Sequence, residues 1–120
     1  VPARVFETRN GEVTVDGISQ GVGRVGTGDV AVVDVGGRAG VPEDASAVFL
    51  NVVAAAPTDR GYLTVYPCDE DRPLAANVNY GPGELGSNAV LAKTAADGTV
   101  CVYTFAETDL VIDVNGYVPS

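Results

Sequence analysis

The chain has 120 residues, of which 46% are hydrophobic, 16 are acidic and 7 are basic, so its net charge is -9. A chain of this length and composition matches one folded domain, residues 1–120, and excludes a disordered protein. The negative charge disfavours binding to nucleic acid or to an anionic membrane surface, and no apolar run is long enough to insert across a bilayer.

Short runs rich in Val, Thr, Ile and Tyr, separated by Gly, Pro, Asn and Asp, predict strands and almost no helix. In chain order the predicted strands are 3–8, 12–18, 29–35, 45–55, 61–67, 76–80, 87–93, 99–105 and 109–117. Turn-forming pairs such as Asn10-Gly11 and Asp97-Gly98 fall between them. The sequence therefore predicts an all-β, single-domain antiparallel β-sandwich or barrel of about nine short strands.

Of the two cysteines, Cys68 directly follows the predicted strand 61–67, and Cys101 lies on the predicted strand 99–105. An even cysteine count in a small β-domain is typical of a disulfide formed in an oxidising compartment, and two reduced core thiols are the alternative. The first residues lack the charged and apolar regions of a signal peptide, as expected of a mature or trimmed chain. We expect one disulfide and a secreted or cell-surface protein.

Four tyrosines are the candidate ligand-binding residues. Alternation along two strands predicts a core-facing set, which consists of Leu63, Val65, Val100 and Val102. The opposite faces carry the aromatic residues and a cysteine, namely Tyr62, Tyr66, Cys101, Tyr103 and Phe105. A disulfide would bring these faces together, so we expect one surface of Tyr62, Tyr66 and Tyr103, with Tyr80 as a further ring. The alternative is that the rings form the core of a packed sheet, with their hydroxyl groups at its rim.

Histidine is absent from the chain. Its absence excludes Ser-His-Asp and Cys-His catalysis and all His-ligated metal sites. A pair of carboxylates is sufficient for glycoside cleavage, but a cleft that holds and distorts a sugar is hard to build in one small domain. We therefore expect a protein that is not an enzyme.

The acidic residues Asp69, Glu70 and Asp71 follow Cys68 directly. Carboxylate oxygens are the ligands that calcium prefers, so this triplet is the candidate metal site. The alternative is that the acidic loop only keeps the surface soluble. No cofactor other than calcium is expected.

Two charged residues interrupt the predicted terminal strands, Arg9 near the start and Asp113 near the end. If these strands are neighbours, the two side chains are expected to form a structural, hydrogen-bonded ion pair inside or at the edge of a sheet.

Five stretches occur together in this chain: VPARVFETR, GVPEDASAVFLNVVAAAPTDRGYLTVYPC, NVNYGPGE, GTVCVY and LVIDVNGY. With them the chain resembles, over nearly all of its length, a recurrent β-domain of secreted actinobacterial and related bacterial proteins. One departure is FETR, where Glu7 stands in place of the usual Asp. The resemblance implies an extracellular accessory or surface role, and the family has no firmly assigned activity.

Two functions follow from these observations. The first is a non-catalytic module for binding or adhesion to cell-wall or extracellular polysaccharide, in which tyrosines stack on sugars. The alternative is a structural subunit, a homo-oligomer that assembles into a surface array or fibre through its sheet edges or its terminal strands, VPARVF and LVIDVNGYV. The lack of tryptophan argues against the first function, and the net charge of -9 argues against the second.

Overall fold

The computed structural model of the protein describes residues 2–120, and all regular structure in this range is β-strand. The strands are β1 (Ala3–Glu7), β2 (Val30–Asp34), β3 (Ala47–Ala55), β4 (Gly61–Pro67), β5 (Val78–Tyr80), β6 (Gly86–Lys93), β7 (Thr99–Thr104) and β8 (Asp109–Val118). Within residues 2–120 there is no helix that is long and apolar enough to cross a membrane. The predicted all-β class is confirmed.

The strands form two antiparallel sheets that enclose one core. The first sheet has the order β1-β8-β3-β6, and the second sheet has the order β2-β7-β4-β5. The sheets are not closed into a barrel, so the sandwich is the correct one of the two predicted architectures. Eight of the predicted strands are present, and their bounds agree with the structure to within two residues.

The ninth predicted strand, 12–18, is wrong, because residues 12–14 have no regular structure and turns and bends occupy residues 15–18. Gly11 and Gly17 adopt φ angles of 83° and 76°, a left-handed conformation that interrupts an extended strand. The carboxylate of Asp16 accepts a hydrogen bond from the N–H of Ile18 at 3.1 Å, and such local turns compete with strand pairing. The apolar alternation of this stretch therefore does not make a strand.

The core lies between the two sheets and consists mainly of branched aliphatic side chains. The core-facing set predicted from alternation is confirmed, since Leu63, Val65, Val100 and Val102 are all at most 8% exposed. Opposite them, every second residue of β3 points inward. Each fully buried side chain of this kind stabilises the fold by about 1.5–3 kcal/mol.

A loop covers the outer edge of β1. The N–H of Val15 donates to the carbonyl of Arg4 at 2.9 Å, and the N–H of Glu7 donates to the carbonyl of Ser19 at 2.9 Å. Because these backbone groups are paired within the chain, they are not free to pair with another protein. On its other side β1 pairs with β8, a central strand of the first sheet.

The terminal strands are neighbours, but the ion-pair partners predicted for them are wrong. In the antiparallel register Arg4 lies opposite Asp113, and its Nε donates to Asp113 Oδ1 at 2.9 Å. Arg9 lies beyond the end of β1, and its Nη2 donates to Glu7 Oε1 at 2.9 Å. The predicted pair Arg9–Asp113 is replaced by these two pairs because strand register selects the partner.

Candidate functional site

Three aromatic rings meet on the outer face of the second sheet. Tyr62 belongs to β4 and Tyr103 to β7, and Phe105 follows β7 directly. The ring centroids of Tyr62 and Tyr103 are 6.0 Å apart. Those of Tyr62 and Phe105 are 5.6 Å apart, with the rings inclined by 21°. We call Tyr62, Tyr103 and Phe105 the aromatic surface, and Tyr62 is its centre.

The rings of the aromatic surface are accessible to solvent. Phe105 is 52% exposed, and Tyr62 and Tyr103 are half-buried. Alternation along the strands directs these side chains away from the core, which the opposite faces of β4 and β7 supply. The structure thus brings Tyr62 and Tyr103 together outside the sandwich, and their binding role stays a prediction.

Tyr80 lies inside the sandwich and is 6% exposed. Its hydroxyl oxygen accepts a hydrogen bond from the N–H of Ala106 at 2.9 Å and lies 2.8 Å from the hydroxyl of Thr104. A buried tyrosine with a paired hydroxyl group is a core residue. The structure therefore does not place Tyr80 with the aromatic surface.

A disulfide joins Cys68 and Cys101, which confirms the predicted crosslink and excludes the reduced alternative. Cys68 directly follows β4, and Cys101 lies on β7, so the bond links adjacent strands of one sheet. Tyr66 is half-buried on the same outer face, opposite Cys101 in the register. Tyr66 is therefore beside the disulfide and next to the start of the loop 68–77.

The loop 68–77 borders a groove next to the aromatic surface. The Thr64 hydroxyl donates to the carbonyl of Ala75 at 2.6 Å, and the N–H of Val65 donates to Asn77 Oδ1 at 2.8 Å. These bonds hold the end of the loop against β4. The groove has a volume of about 250 Å3, with Tyr62 and Thr64 on the strand side and residues 72–76 on the loop side.

Arg72 connects the groove with the aromatic surface. Its Cζ atom lies 3.7 Å from the centroid of the Tyr103 ring, which is the geometry of a cation–π interaction. Within residues 2–120 no carboxylate forms an ion pair with Arg72. The N–H groups of its guanidinium therefore remain able to donate hydrogen bonds to a ligand.

The acidic triplet contributes to the anchoring of the loop. Asp69 Oδ2 accepts a hydrogen bond from the N–H of Ala96 at 2.9 Å. Glu70 forms an ion pair with Lys93 at 3.0 Å, and this hydrogen bond raises the pKa of Lys93. In the part of the chain that the structure describes, no group of three or more acidic or cysteine side chains is arranged as a metal site. Calcium binding by Asp69, Glu70 and Asp71 stays a prediction.

The outer side of the first sheet carries paired charges instead of an aromatic surface. The side chain of Glu7 is fully buried and is contacted by Arg9 at 2.9 Å and by Arg4 at 3.4 Å. Burial by itself raises the pKa of Glu7, but the hydrogen bonds and charges of Arg9, with the charge of Arg4, outweigh it and hold the pKa below its usual value. This network is part of the fold.

A second, more apolar depression lies on the first sheet. It has a volume of about 480 Å3, and its lining includes Phe49, Leu91 and Asn115. The side chains of Phe49 and Leu91 are exposed. The depression contains one aromatic ring and no charged side chain among its lining residues, so it offers fewer means of orienting a polar ligand.

Two residues of the site were not among the sequence-based candidates. Phe105 shares the alternation of Tyr103, so its outward direction could be predicted from the sequence, although its contact with Tyr62 could not. Arg72 stands in a loop without periodicity, and its position over the Tyr103 ring depends on how that loop folds. No sequence signal indicated this contact.

No protein-family model matches this chain, and no curated protein matches it in sequence. The resemblance to the secreted actinobacterial β-domains remains a prediction from the motifs.

Proposed function

We propose that the protein is a secreted or cell-surface, non-catalytic module that binds cell-wall or extracellular polysaccharide. The observation that carries this proposal is the solvent-accessible aromatic surface of Tyr62, Tyr103 and Phe105 beside a groove. Aromatic rings present flat apolar area at low entropic cost, while a phenolic hydroxyl group supplies a hydrogen bond at the edge. Such a surface suits the C–H faces of sugar rings.

The chemistry around the rings supports binding without catalysis. Histidine is absent from the chain, and two acidic residues near the groove, Asp69 and Glu70, hold the loop in place. A pair of free, facing carboxylates would be needed for glycoside cleavage. The groove lining includes none of the acidic residues.

An extracellular location is supported by the disulfide between Cys68 and Cys101. Disulfides form and persist in oxidising compartments and are rare in the cytosol. The motif resemblance to secreted bacterial domains also supports an extracellular location.

Retention on insoluble polysaccharides tests the proposed function. The Tyr62→Ala variant should lose retention because it removes the central ring, and it should stay folded because that ring lies outside the core. Tyr117→Ala is a matched control, since Tyr117 is an exposed tyrosine of β8, in the other sheet. Equal retention of Tyr62→Ala and the wild-type protein would overturn the role of the aromatic surface.

Self-assembly is the second candidate function, and one observation favours it. Within residues 2–120, β2 is an edge strand whose one partner is β7, and its side chains Val30 and Val32 are exposed. An open edge with apolar side chains can pair with a strand of another copy. By contrast, the terminal strands are paired within the chain, so β2 is the better candidate for assembly.

Light scattering of the wild-type protein over a range of concentrations, with and without calcium, tests self-assembly. If copies associate through β2, Val32→Lys should shift the protein to monomer, because a charge on an edge strand disfavours pairing. Val22→Lys is the control, since Val22 is exposed but lies outside the strands. A monodisperse wild-type monomer in both conditions would contradict assembly.

A further inference from the structure

Most basic side chains of this protein are engaged with carboxylates. The residues that form such ion pairs are Arg4, Arg9, Arg24, Arg38 and Lys93. In the described range 2–120, Arg60 and Arg72 form none. Of these two, Arg72 lines the groove together with Tyr62. Arg72 is thus a cation at the candidate site that the fold does not neutralise.

Arg72 is also held in position before any ligand binds. Its guanidinium lies over the ring of Tyr103, with Cζ 3.7 Å from the centroid. The loop that carries it starts at the disulfide-bonded Cys68 and is bonded near its end by the hydroxyl of Thr64, which donates to the carbonyl of Ala75. Ordering these groups in advance lowers the entropic cost of binding.

The guanidinium and the Tyr62 ring offer complementary interactions to one ligand. A guanidinium has N–H donors in a fixed plane and no acceptor, so it pairs with oxygen atoms. An aromatic ring packs against C–H groups instead. A sugar ring offers both oxygen atoms and C–H groups, because its hydroxyl and ring oxygens project at the edge while its C–H groups form a face. Tyr62 and Arg72 line the same groove of about 250 Å3.

The surrounding charge distinguishes neutral from acidic sugars. A carboxylate is the strongest partner for a guanidinium, but Asp69, Glu70 and Asp71 immediately precede Arg72, and the chain has a net charge of -9. This field repels a polyanion. We propose that Arg72 determines specificity by donating to the hydroxyl oxygens of a neutral sugar while Tyr62 packs against its ring, an inference that rests on the proposed function.

Calorimetric titration with short soluble oligosaccharides tests this inference. It compares the affinity for a neutral series with the affinity for a uronic-acid series of similar length. The wild-type protein should bind the neutral series more tightly. Arg72→Ala should weaken that binding about tenfold, the effect of losing one charged hydrogen-bonding group. Arg72→Lys should recover part of the affinity, because it keeps the charge but loses the planar donors. Arg60→Ala, a matched charge loss outside the groove, should bind as the wild type does.

The variants separate failure of this inference from failure of the proposed function. Equal affinity of Arg72→Ala and Arg60→Ala, or a preference for the uronic-acid series, would overturn the role of Arg72. If Tyr62→Ala alone lost binding, the proposed function would stand without the inference. If the wild-type protein bound no oligosaccharide of either series, or if Tyr62→Ala and Arg72→Ala both bound as the wild type does, both would be overturned.

Discussion

The outer faces of the two sheets are stabilised in different ways. On the first sheet charged side chains neutralise one another, as Arg4 does with Asp113 and Arg9 with Glu7. On the second sheet the disulfide crosslinks neighbouring strands, and Arg72 lies over an aromatic ring without an ion-pair partner in the described part of the chain.

This difference is the reason for which we propose the second sheet as the binding face. Ionic groups on the first sheet are already paired, and an outside ligand would have to compete with those pairs. On the second sheet the guanidinium of Arg72 has no ion-pair partner within residues 2–120, and the ring of Tyr62 is only half-buried, so both groups remain available to a ligand.

Removing the disulfide should have the largest effect on stability. The bond closes a loop with a sequence separation of 33, and the chain-entropy model gives a loss of about 3–4 kcal/mol for Cys68→Ser combined with Cys101→Ser. Urea unfolding of the double variant measures this loss in the free energy of unfolding. The wild-type protein, when it is unfolded under reducing conditions, should show the same loss relative to the oxidised protein. A loss below about 1 kcal/mol would show that the second sheet does not depend on its crosslink.

Removing the buried carboxylate should destabilise the first sheet. Glu7→Gln takes the charge from a fully buried group and leaves Arg9 without its ionic partner. We expect a loss of about 2 kcal/mol in the free energy of unfolding. Glu107→Gln is the control, because its ion pair with Arg24 is partly exposed and should be worth about 0.5 kcal/mol. Equal losses in both variants would contradict a special role for Glu7.

The same carboxylate should make stability depend on pH. The pKa of Glu7 is lower in the folded protein than its ordinary value of 4.5, so the unfolded chain binds the proton more readily. The contribution of ionised Glu7 to the free energy of unfolding is therefore fully present above pH 4.5. It is lost as the pH falls through the pKa that Glu7 has in the folded protein. Urea unfolding from neutral pH down to about pH 3 should show a shallower decline for Glu7→Gln than for the wild type.

Some pH dependence should persist in Glu7→Gln. The hydrogen bond from Arg38 also holds the pKa of Asp16 well below its usual range. Asp16 thus contributes stability with the same sign, which is fully present above its ordinary pKa of 3.8 and is lost as the pH falls through its lower folded pKa. If wild type and Glu7→Gln declined in parallel, the assignment of the effect to Glu7 would fail.

The smallest expected effect separates core tyrosines from surface tyrosines. Tyr80→Phe removes a buried hydroxyl group that pairs with Thr104 and Ala106, and we expect a loss of about 1 kcal/mol. Tyr117→Phe, at an exposed position, should change stability by less than about 0.5 kcal/mol. Thermal unfolding of both variants measures the difference, and equal values would contradict the core assignment of Tyr80.

Much of the fold could be predicted because local patterns agreed with tertiary structure. Alternation assigns Leu63 and Val102 to the core and Tyr62 and Tyr103 to the opposite face, but it does not decide whether that face is exposed or packs against another sheet. The disulfide followed from the even number of cysteines in a small β-domain. The segment 12–18 alternates as well, but the left-handed conformations of Gly11 and Gly17 prevented a strand there.

The charged contacts could not be predicted because they depend on geometry across the chain. Arg4 rather than Arg9 meets Asp113 because of the register between β1 and β8, which includes an irregularity between Arg4 and Phe6. Arg72 reaches Tyr103 through the path of a loop that has no periodic pattern. The sequence pattern therefore does not show which residues of distant segments come into contact.

We propose that a polysaccharide binds to the aromatic surface and its groove. A titration of isotope-labelled protein with soluble neutral oligosaccharides, followed by amide chemical shifts, tests this claim without any substitution in the protein. We predict that the largest shifts cluster at Tyr62, at residues 72–76 and at Tyr103 and Phe105. Shifts that cluster instead around Phe49 and Leu91 on the first sheet, or no shifts at all, would contradict the claim.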